Sequence, residues 1–301
     1  MLLDCVIIGG GPAGLNAALV VARSGRKVIL FDEDKPRNGV TQESHGFITR
    51  DGIKPAEFKK IAQADLMKYP NLAIQKQRVI DIQKIDEVFG IWTMDGNTYQ
   101  AKKVILSTGL TDIMPQIAGI HEFYGTSLFN CPFCDGWELK NRAIVVISEE
   151  PRAFHMTKMI YNWSQDVVVC TNGKTILSQD QKELLIKKNI TVIEDEILQL
   201  EGEGGYLKKI RFKNGKEIAR DGGFVTTGLQ QAAQFAQTLG CNMNKMGGIE
   251  TDTFGRTNIA GVYASGDNSN SLPSQLIIAA AEGSKVAIGV IGDLINEEFE
   301  N

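Results

Sequence analysis

Residues 2–32 read LLDCVIIGGGPAGLNAALVVARSGRKVILFD. Leu2 to Ile8 is a short apolar run ending in glycines, the pattern of a buried parallel strand. Pro12 to Ser24 follows as a helix, with proline in its first turn and Gly25 just past its end. Lys27 to Asp32 is a second apolar strand. Strand, helix and strand over so short a stretch make a βαβ unit with parallel strands. The connecting turn, Gly9-Gly10-Gly11-Pro12-Ala13-Gly14, matches G-x-G-x-x-G. In that pattern Gly9 permits the tight turn, Gly11 lets the backbone approach a pyrophosphate, and Gly14 lets helix and strand pack closely. The helix start at Pro12 and Ala13 directs free N–H groups and positive dipole toward the phosphates. Asp32 ends the second strand, where its carboxylate accepts hydrogen bonds from a ribose hydroxyl. A tight turn without a ligand is the bland alternative, and it leaves the agreement of turn, helix and acid unexplained.

Working outward, the 301 residues include 31 glycines, about ten more than average composition carries. There is no G-X-Y period, and the 43% hydrophobic and 23% charged content is that of an ordinary globular chain. The length suggests two domains. A net charge of −4 offers no footprint for nucleic acid or an anionic membrane. Apolar runs such as Leu276–Ala281 are far shorter than the roughly 18 residues of a spanning helix. The first residues lack the basic flank of a signal peptide, so a cytoplasmic protein is expected.

Further along, Pro55 to Lys68 reads as a helix, Val79 to Thr93 as a small antiparallel insert, and Val104 to Thr108 as a buried strand ending in Ser107-Thr108-Gly109. A second unit of the same kind then begins. Ala143–Ser148, Asp166–Cys170 and Ile190–Glu194 are strand-like, and Phe224–Thr227 closes the unit before Gly228. Pro151–Asn162 and Ser178–Lys188 are helical, the latter opening with a Ser178/Gln181 capping box. The chain ends with Ala264-Ser265-Gly266-Asp267 and an amphipathic helix from Ser274 to about Ile295. Two βαβ units without a Pro/Ser-rich linker point to an α/β architecture in which one nucleotide-binding-type domain is inserted into another.

Cys131-Pro132-Phe133-Cys134 is a C-x-x-C followed by Asp135-Gly136-Trp137. Two thiols at this spacing close a disulfide readily, and a neighbouring helix N-terminus or charge lowers one thiol pKa. The adjacent Asp135 carboxyl is placed to exchange a proton with a thiolate. The same spacing is also half of a zinc site, but the remaining Cys5, Cys170, Cys241 and three histidines are unpaired in sequence. An inert buried pair is the third alternative. Trp137 reads most simply as core packing, Cys5 and Cys170 as buried small hydrophobes, and His121 and His155 as structural or solvated residues. No metal site is expected.

Together these motifs resemble the low-molecular-weight thioredoxin reductase family over nearly the whole chain. Gly9 to Gly14 is similar to its FAD-binding loop, Ser107-Thr108-Gly109 to its A-T-G turn, and Cys131 to Gly136 to its C-x-x-C-D-G redox centre. Ala264-Ser265-Gly266-Asp267 resembles its second FAD motif. Ser274-Gln275-Leu276 lies where the family has R-Q-A beside the isoalloxazine, so only Gln275 carries over. The resemblance implies two Rossmann-like three-layer domains with small antiparallel inserts: an FAD domain of residues 1–114 and 246–301, and an inserted module of residues 115–245. It implies FAD held by Gly9, Gly11, Pro12, Ala13, Gly14, Asp32, Thr108, Gly109, Gly266, Asp267 and Gln275. It makes Cys134 the flavin-side thiol, Cys131 the thiol that exchanges with substrate, and Asp135 the acid/base. It also implies a homodimer.

One departure stands out. After the strand at residues 143–147 the family has a G-G-G-x-[ST]-A loop for the NADPH pyrophosphate; this chain has Ser148-Glu149-Glu150-Pro151-Arg152-Ala153. The glycines that allow close backbone approach are gone, Pro151 deletes an N–H donor, and two carboxylates stand where phosphates belong. Like charges so placed repel by on the order of several kcal/mol at low effective dielectric. The family's H-R-R-x-x-x-R, which holds the 2′-phosphate, is replaced by Cys170-Thr171-Asn172-Gly173-Lys174-Thr175. Arg152 and Lys174 are the remaining cations for a phosphate held in another way. Residues 37–55, with Ser44-His45-Gly46-Phe47 and Arg50-Asp51-Gly52, resemble a branch that includes dithiol oxidases of small-molecule biosynthesis. Those enzymes commonly carry His where this chain has Asp135. His45 is either a loop residue or a neighbour of the flavin.

The expected function is therefore FAD-dependent thiol/disulfide exchange with a thioredoxin-like protein or a small-molecule dithiol or disulfide, without direct use of NADPH. Oxygen, a ferredoxin or another carrier completes the electron path. The alternatives are an NADPH-dependent thioredoxin-disulfide reductase with a divergent loop, and a non-catalytic FAD-binding redox sensor.

Overall fold

A computed structural model describes residues 1–269 and 274–300 of the chain. The opening stretch forms the strand Leu2–Ile8, the helix Pro12–Arg23 and the strand Val28–Phe31. The first strand is central: it pairs in parallel with Val28–Phe31 on one side and with Thr98–Leu106 on the other. Its interior residues Cys5 to Ile8 are buried because both faces of the sheet are covered.

The chain divides into two compact units. One comprises Met1–Gly39, Gly46–Thr111 and Gln230–Asn301, the other Val40–His45 and Asp112–Leu229. The return to the first unit comes before the expected residue 246. Ala236 and Cys241, together with Phe235 and Leu239, pack into a core with Val262 and Ala264, so this segment belongs with the sheet it covers.

In the first unit the strands run in the order Leu72–Gln75, Val28–Phe31, Leu2–Ile8, Thr98–Leu106, Val88–Thr93, Val79–Ile85, and Val262–Ala264 also pairs with Thr98–Leu106. The antiparallel segment at 79–93 is thus continuous with the main sheet rather than a separate insert. One long strand, Thr98–Leu106, serves both parts. Thr98 to Ala101 pair antiparallel with Phe89 to Trp92, whereas Val104 to Leu106 pair in parallel with Val262 to Ala264. Its sequence changes to match, from mixed polar and apolar to continuously apolar. One face of the sheet packs Val79, Ile82, Phe89 and Ile91 against Val6 and Ile8. The other packs Leu15, Ala18 and Val21 of the first helix together with Val286, Val290 and Leu294 of the helix Leu276–Glu300.

The second unit has a five-stranded sheet in the order Thr191–Ile193, Val167–Cys170, Ile144–Ile147, Gly222–Val225, Leu128–Phe129, with every pair parallel. The helices Ala153–Ile160 and Gln179–Lys187 cover one face through Ala153, Ile160 and Leu185. The Ser178/Gln181 capping box is formed. The other face carries an antiparallel sheet, Ile197–Glu203, Tyr206–Phe212 and Glu217–Ala219, which contributes Leu200, Leu207, Ile210 and Phe212 to the core. Its strands alternate buried and exposed positions, as a sheet with one solvated face requires. Among the described residues no helix is long and apolar enough to cross a membrane.

Candidate active site

The first unit contains a dinucleotide cradle. Gly9 has φ +109, and a Cβ there would sit 2.2 Å from the Ser107 carbonyl oxygen. A Cβ at Gly14 would lie 1.9 Å from the Gly9 carbonyl oxygen. These two glycines make the tight turn and the close helix–strand packing possible. Gly11 differs: a Cβ there would meet nothing within 4 Å. It is the N-cap of the Pro12–Arg23 helix, and no side chain caps that end, so the free N–H groups of the first turn are open to an anion.

Of the other predicted cofactor residues, Asp32 and Gly266 approach this turn: a Cβ at Gly10 would lie 2.4 Å from the Asp32 carboxyl. A Cβ at Gly266, where φ is +82, would come within 2.9 Å of the Ala13 Cβ. The Gly266 N–H donates to the Glu282 carboxylate at 2.9 Å. Asn268 Nδ2 donates to the Leu106 carbonyl at 2.9 Å and lies 3.4 Å from the Thr108 hydroxyl oxygen. Gly109 has φ +70. Gln275 stands half-buried just before the long helix, whose first turn closes on its carbonyl. Asp32, the residue after the strand Val28–Phe31, is paired with Lys59, which also binds Asp34. Asp267 forms an ion pair with Arg37 at 3.1 Å. Neither Lys59 nor Arg37 is signalled by a motif, because both partners are distant in sequence and meet only through the fold. An open Gly11 face beside an uncapped helix end, with a strand-end carboxylate, fits the pyrophosphate and ribose of FAD.

The second unit holds the cysteine site. Cys131 and Cys134 are joined in a disulfide, their Cα atoms 5.3 Å apart. Cys131 is the extended N-cap of a single helical turn, Pro132–Asp135, and its carbonyl accepts from the Cys134 and Asp135 N–H groups. Asp135 is buried, at 8% exposure, directly after the second cysteine. Burial, supplemented by the negative charge of Glu138, pushes its carboxyl up to about 7, and His45 opposes that rise. A carboxyl so placed holds a proton near neutrality and can give it to a thiolate or take it from a thiol. By contrast, burial raises the Cys5 and Cys170 thiols far above their usual range, so both are inert small hydrophobes. Cys241 is also buried. Among the described residues no group of three or more potential ligands gathers to hold a metal ion.

Trp137 is not core packing. It is 69% exposed, with Lys140 Nζ 4.6 Å from its ring centroid. Phe133, between the cysteines, is 59% exposed and meets Trp163 edge-on at 5.8 Å. The cause is steric: a Cβ at Gly136 would lie 2.7 Å from the Trp163 ring. Trp163 therefore already fills the space beneath the turn, and Trp137 is left outside. His45 is 3.5 Å from Glu138 and 3.8 Å from Glu43 through Nε2. His121 and His155 are exposed.

The second nucleotide-type turn is closed on itself. The Ser148 hydroxyl accepts from the Glu150 N–H at 3.2 Å, and the Glu150 carbonyl accepts from the Ala153 N–H at 3.0 Å. Asn172 Nδ2 donates to Glu149 at 2.6 Å, while Asn172 Oδ1 accepts from the Ile197 N–H at 2.9 Å. Arg152 pairs with Glu150 at 2.5 Å and donates to the Thr227 carbonyl. The helix after this turn begins only at Ala153, later than the expected Pro151. Asn172 was not singled out by sequence reasoning; the Asn172-Gly173 dipeptide signals a turn but not the carboxylate it holds.

Residues 3–283 match the family of pyridine nucleotide-disulphide oxidoreductases. The crystal structure of TrxB from Bacillus anthracis is similar to this chain at 47% identity and a TM-score of 0.95, covering 98% of this chain and 99% of that one. A thioredoxin reductase of Helicobacter pylori is 27% identical, with 97% of this chain and 99% of the relative covered. The thioredoxin reductase tcpT of Claviceps purpurea is also 27% identical, covering 97% and 96%. The chain belongs to the pyridine nucleotide-disulphide oxidoreductase family and is a thioredoxin reductase-like flavin disulfide oxidoreductase.

Proposed function

We propose that this chain exchanges electrons between FAD and a dithiol or disulfide through Cys131 and Cys134, and that it does not take them directly from NADPH. The observation that carries this reading is the self-satisfied turn at Ser148–Arg152. Its Glu150 N–H is taken up by the Ser148 hydroxyl, Glu149 is held by Asn172, and Arg152 is turned onto Glu150 and the Thr227 carbonyl. FAD, when bound, supplies a two-electron carrier that the side chains themselves lack.

The thiol step follows from the residues present. A substrate thiolate attacks Sγ of Cys131, the Cys131–Cys134 bond breaks, and Cys134 departs with the electron pair and takes a proton from Asp135. The second substrate thiol passes its proton back to Asp135 and displaces Cys131, which leaves with the electron pair and accepts the remaining proton. Substrate disulfide is released, and two electrons and two protons have moved to the cysteine pair. The reverse sequence reduces a disulfide. The substrate is a thioredoxin-like protein or a small dithiol, and the exposed Phe133 and Trp137 beside the cysteines offer it an apolar contact.

An anaerobic titration tests the reading. NADPH, NADH, dithiothreitol and a reduced ferredoxin are added separately to the yellow protein while flavin absorbance is followed. Bleaching by dithiothreitol and recovery in air support the oxidase direction, and bleaching by ferredoxin supports the reductase direction. Rapid bleaching by micromolar NADPH overturns the proposal in favour of an NADPH-dependent reductase.

A further inference from the structure

The parallel sheet of the second unit brings three loops together at its carboxyl end. The strand Leu128–Phe129 pairs with Gly222–Val225, which pairs in turn with Ile144–Ile147. Just past those strands stand Asn130 and Cys131, Thr226 and Thr227, and the turn that starts at Ser148. Their side chains are cross-linked. The Thr226 hydroxyl donates to the Ser148 hydroxyl at 2.7 Å in a buried contact. The Thr227 carbonyl accepts from Arg152, and the Thr227 hydroxyl donates to Asp112 Oδ1 at 2.8 Å. The same carboxylate oxygen accepts from Asn130 Nδ2 at 3.1 Å, and Asp112 Oδ2 accepts from the Tyr124 hydroxyl at 3.0 Å. A carboxylate accepts all three because its two oxygens offer acceptor sites alone. Asp112 belongs to no motif, yet it gathers donors from three separate parts of the unit, and one of them is the residue directly before Cys131.

We propose that Asp112 and Asn130 are positioning residues for the thiol exchange: the carboxylate holds the Asn130 side chain, and through it fixes where the Cys131 sulfur is presented to an attacking thiolate. The inference rests on the reading of Cys131 as the thiol that exchanges with substrate. In that step the bond from the substrate sulfur to Cys131 Sγ forms as the Cys131–Cys134 bond breaks, and Cys134 leaves with the electron pair and takes up a proton. The three sulfurs must approach a line, so the rate depends on where Cys131 is held. The cysteine turn does not hold itself. Pro132–Asp135 is a single helical turn, too short to be stable without its surroundings. At its exit Gly136 packs against the Trp163 ring. At its entrance the Asn130–Asp112 hydrogen bond is the matching anchor. Through Thr227 the same carboxylate is joined to Arg152, so the closed turn at Ser148–Arg152 braces the cysteine turn from the neighbouring strands.

The test is the rate at which dithiothreitol reduces the flavin of the anaerobic holoprotein. It is taken as the slope against dithiothreitol concentration where attack on the disulfide limits the rate, well below the melting temperature of every variant. Asn130→Ala removes the anchor without changing charge, and its slope falls about tenfold, less than the full cost of a misplacement of about 1 Å. Asn130→Asp sets two carboxylates against each other and is at least as slow. Adding Asp112→Asn to Asn130→Asp again faces a donor with an acceptor, and the slope returns most of the way to wild type. A merely structural bond lowers the melting temperature of the single variants but leaves the slope of the folded protein alone. Where Asn130→Asp does not fold, Asn130→Ala alone decides. Wild-type slopes in the single variants, or a paired variant no faster than Asn130→Asp, overturn the proposal and leave the cysteine route standing. Cys131→Ser reduced as fast as wild type overturns the cysteine route itself, and the proposal with it.

Discussion

Asp135→Asn is a test of the site through stability rather than turnover. Burial first, then the Glu138 charge, raises the Asp135 carboxyl from 3.8 to about 7. In the unfolded chain the carboxyl returns to its ordinary range. Between those values the folded protein keeps a proton that the unfolded chain has released, so stability falls as pH rises through the window and is level above it. The rise is roughly three on the pH scale, and each is worth about 1.4 kcal/mol. Allowing for the residual exposure of the side chain, the charged carboxylate costs the folded state about 3–4 kcal/mol once the pH passes 7. Asparagine has a similar shape and does not titrate, so the variant lacks this loss. The assay is urea unfolding of both proteins, oxidised at the cysteine pair, at about pH 5 and about pH 8. Other titrating groups are common to both and cancel in the comparison. Part of that loss has already occurred at pH 5, so the wild type should lose about 2 kcal/mol more than the variant between the two pH values. Equal losses would refute the argument, because they would mean that the carboxyl is solvated or satisfied in the folded state.

Gly11→Val points its side chain into open space and should leave melting behaviour near wild type while the protein purifies with little flavin. Gly9→Ala, at φ +109 with the Ser107 carbonyl 2.2 Å away, should instead lower stability itself. The ratio of flavin absorbance to protein, read beside a thermal melt, separates the two. Asp293 accepts from Arg256 Nε and Nη2, at 2.7 and 2.8 Å, and from the hydroxyl of the buried Tyr263 at 2.5 Å. Asp293→Ala should cost about 2–3 kcal/mol in urea unfolding by leaving that buried hydroxyl unpaired. The Arg256 guanidinium holds the Asp293 carboxyl below its usual range, so its contribution is present above the ordinary carboxylate pKa and lost as pH falls through the lowered one.

The parts legible in the sequence are those whose causes are local. The Gly9–Gly14 turn, the capping box at Ser178 and the cysteine turn all carry their constraints within a few residues. The parts that were not legible depend on partners far along the chain. The sequence reads a buried strand only over Val104–Thr108; that the strand starts at Thr98 and pairs in parallel with Val262–Ala264 is invisible locally. Trp137 reads as core by its chemistry, but Trp163 already occupies the space beneath Gly136. Lys59, Arg37 and Asn172 belong to no motif, yet they hold Asp32, Asp267 and Glu149. Each is a tertiary pairing of polar side chains on separate elements, and pattern within a window cannot register it.

The two nucleotide-type turns share one backbone plan, and the proposed function gives them opposite binding behaviour. In both, a helix start follows a buried parallel strand. At Gly11 the first-turn donors have no side-chain partner, so an arriving pyrophosphate gains their full hydrogen bonding. At Ser148 the same gain must first overcome what the turn already has. Freeing Glu149 from Asn172 forfeits a charge-assisted hydrogen bond, and moving Arg152 off Glu150 breaks a half-exposed ion pair. The first is worth about 1.5–3 kcal/mol and the second about 1 or less. A pyrophosphate would therefore bind weaker by about 1.5–4 kcal/mol, roughly ten- to a thousandfold, before any repulsion from the two carboxylates is counted. A single glycine substitution cannot recover this, because the turn's stability is shared among Ser148, Glu149, Glu150, Arg152 and Asn172. What the second sheet retains is a scaffold for the cysteine turn: Phe133 rests on Trp163, and Gly136 packs against the same ring. On the proposed function, the fold of a nucleotide domain and the occupancy of its nucleotide site are separable properties, and the side chains of Ser148–Arg152 are what separates them in this chain.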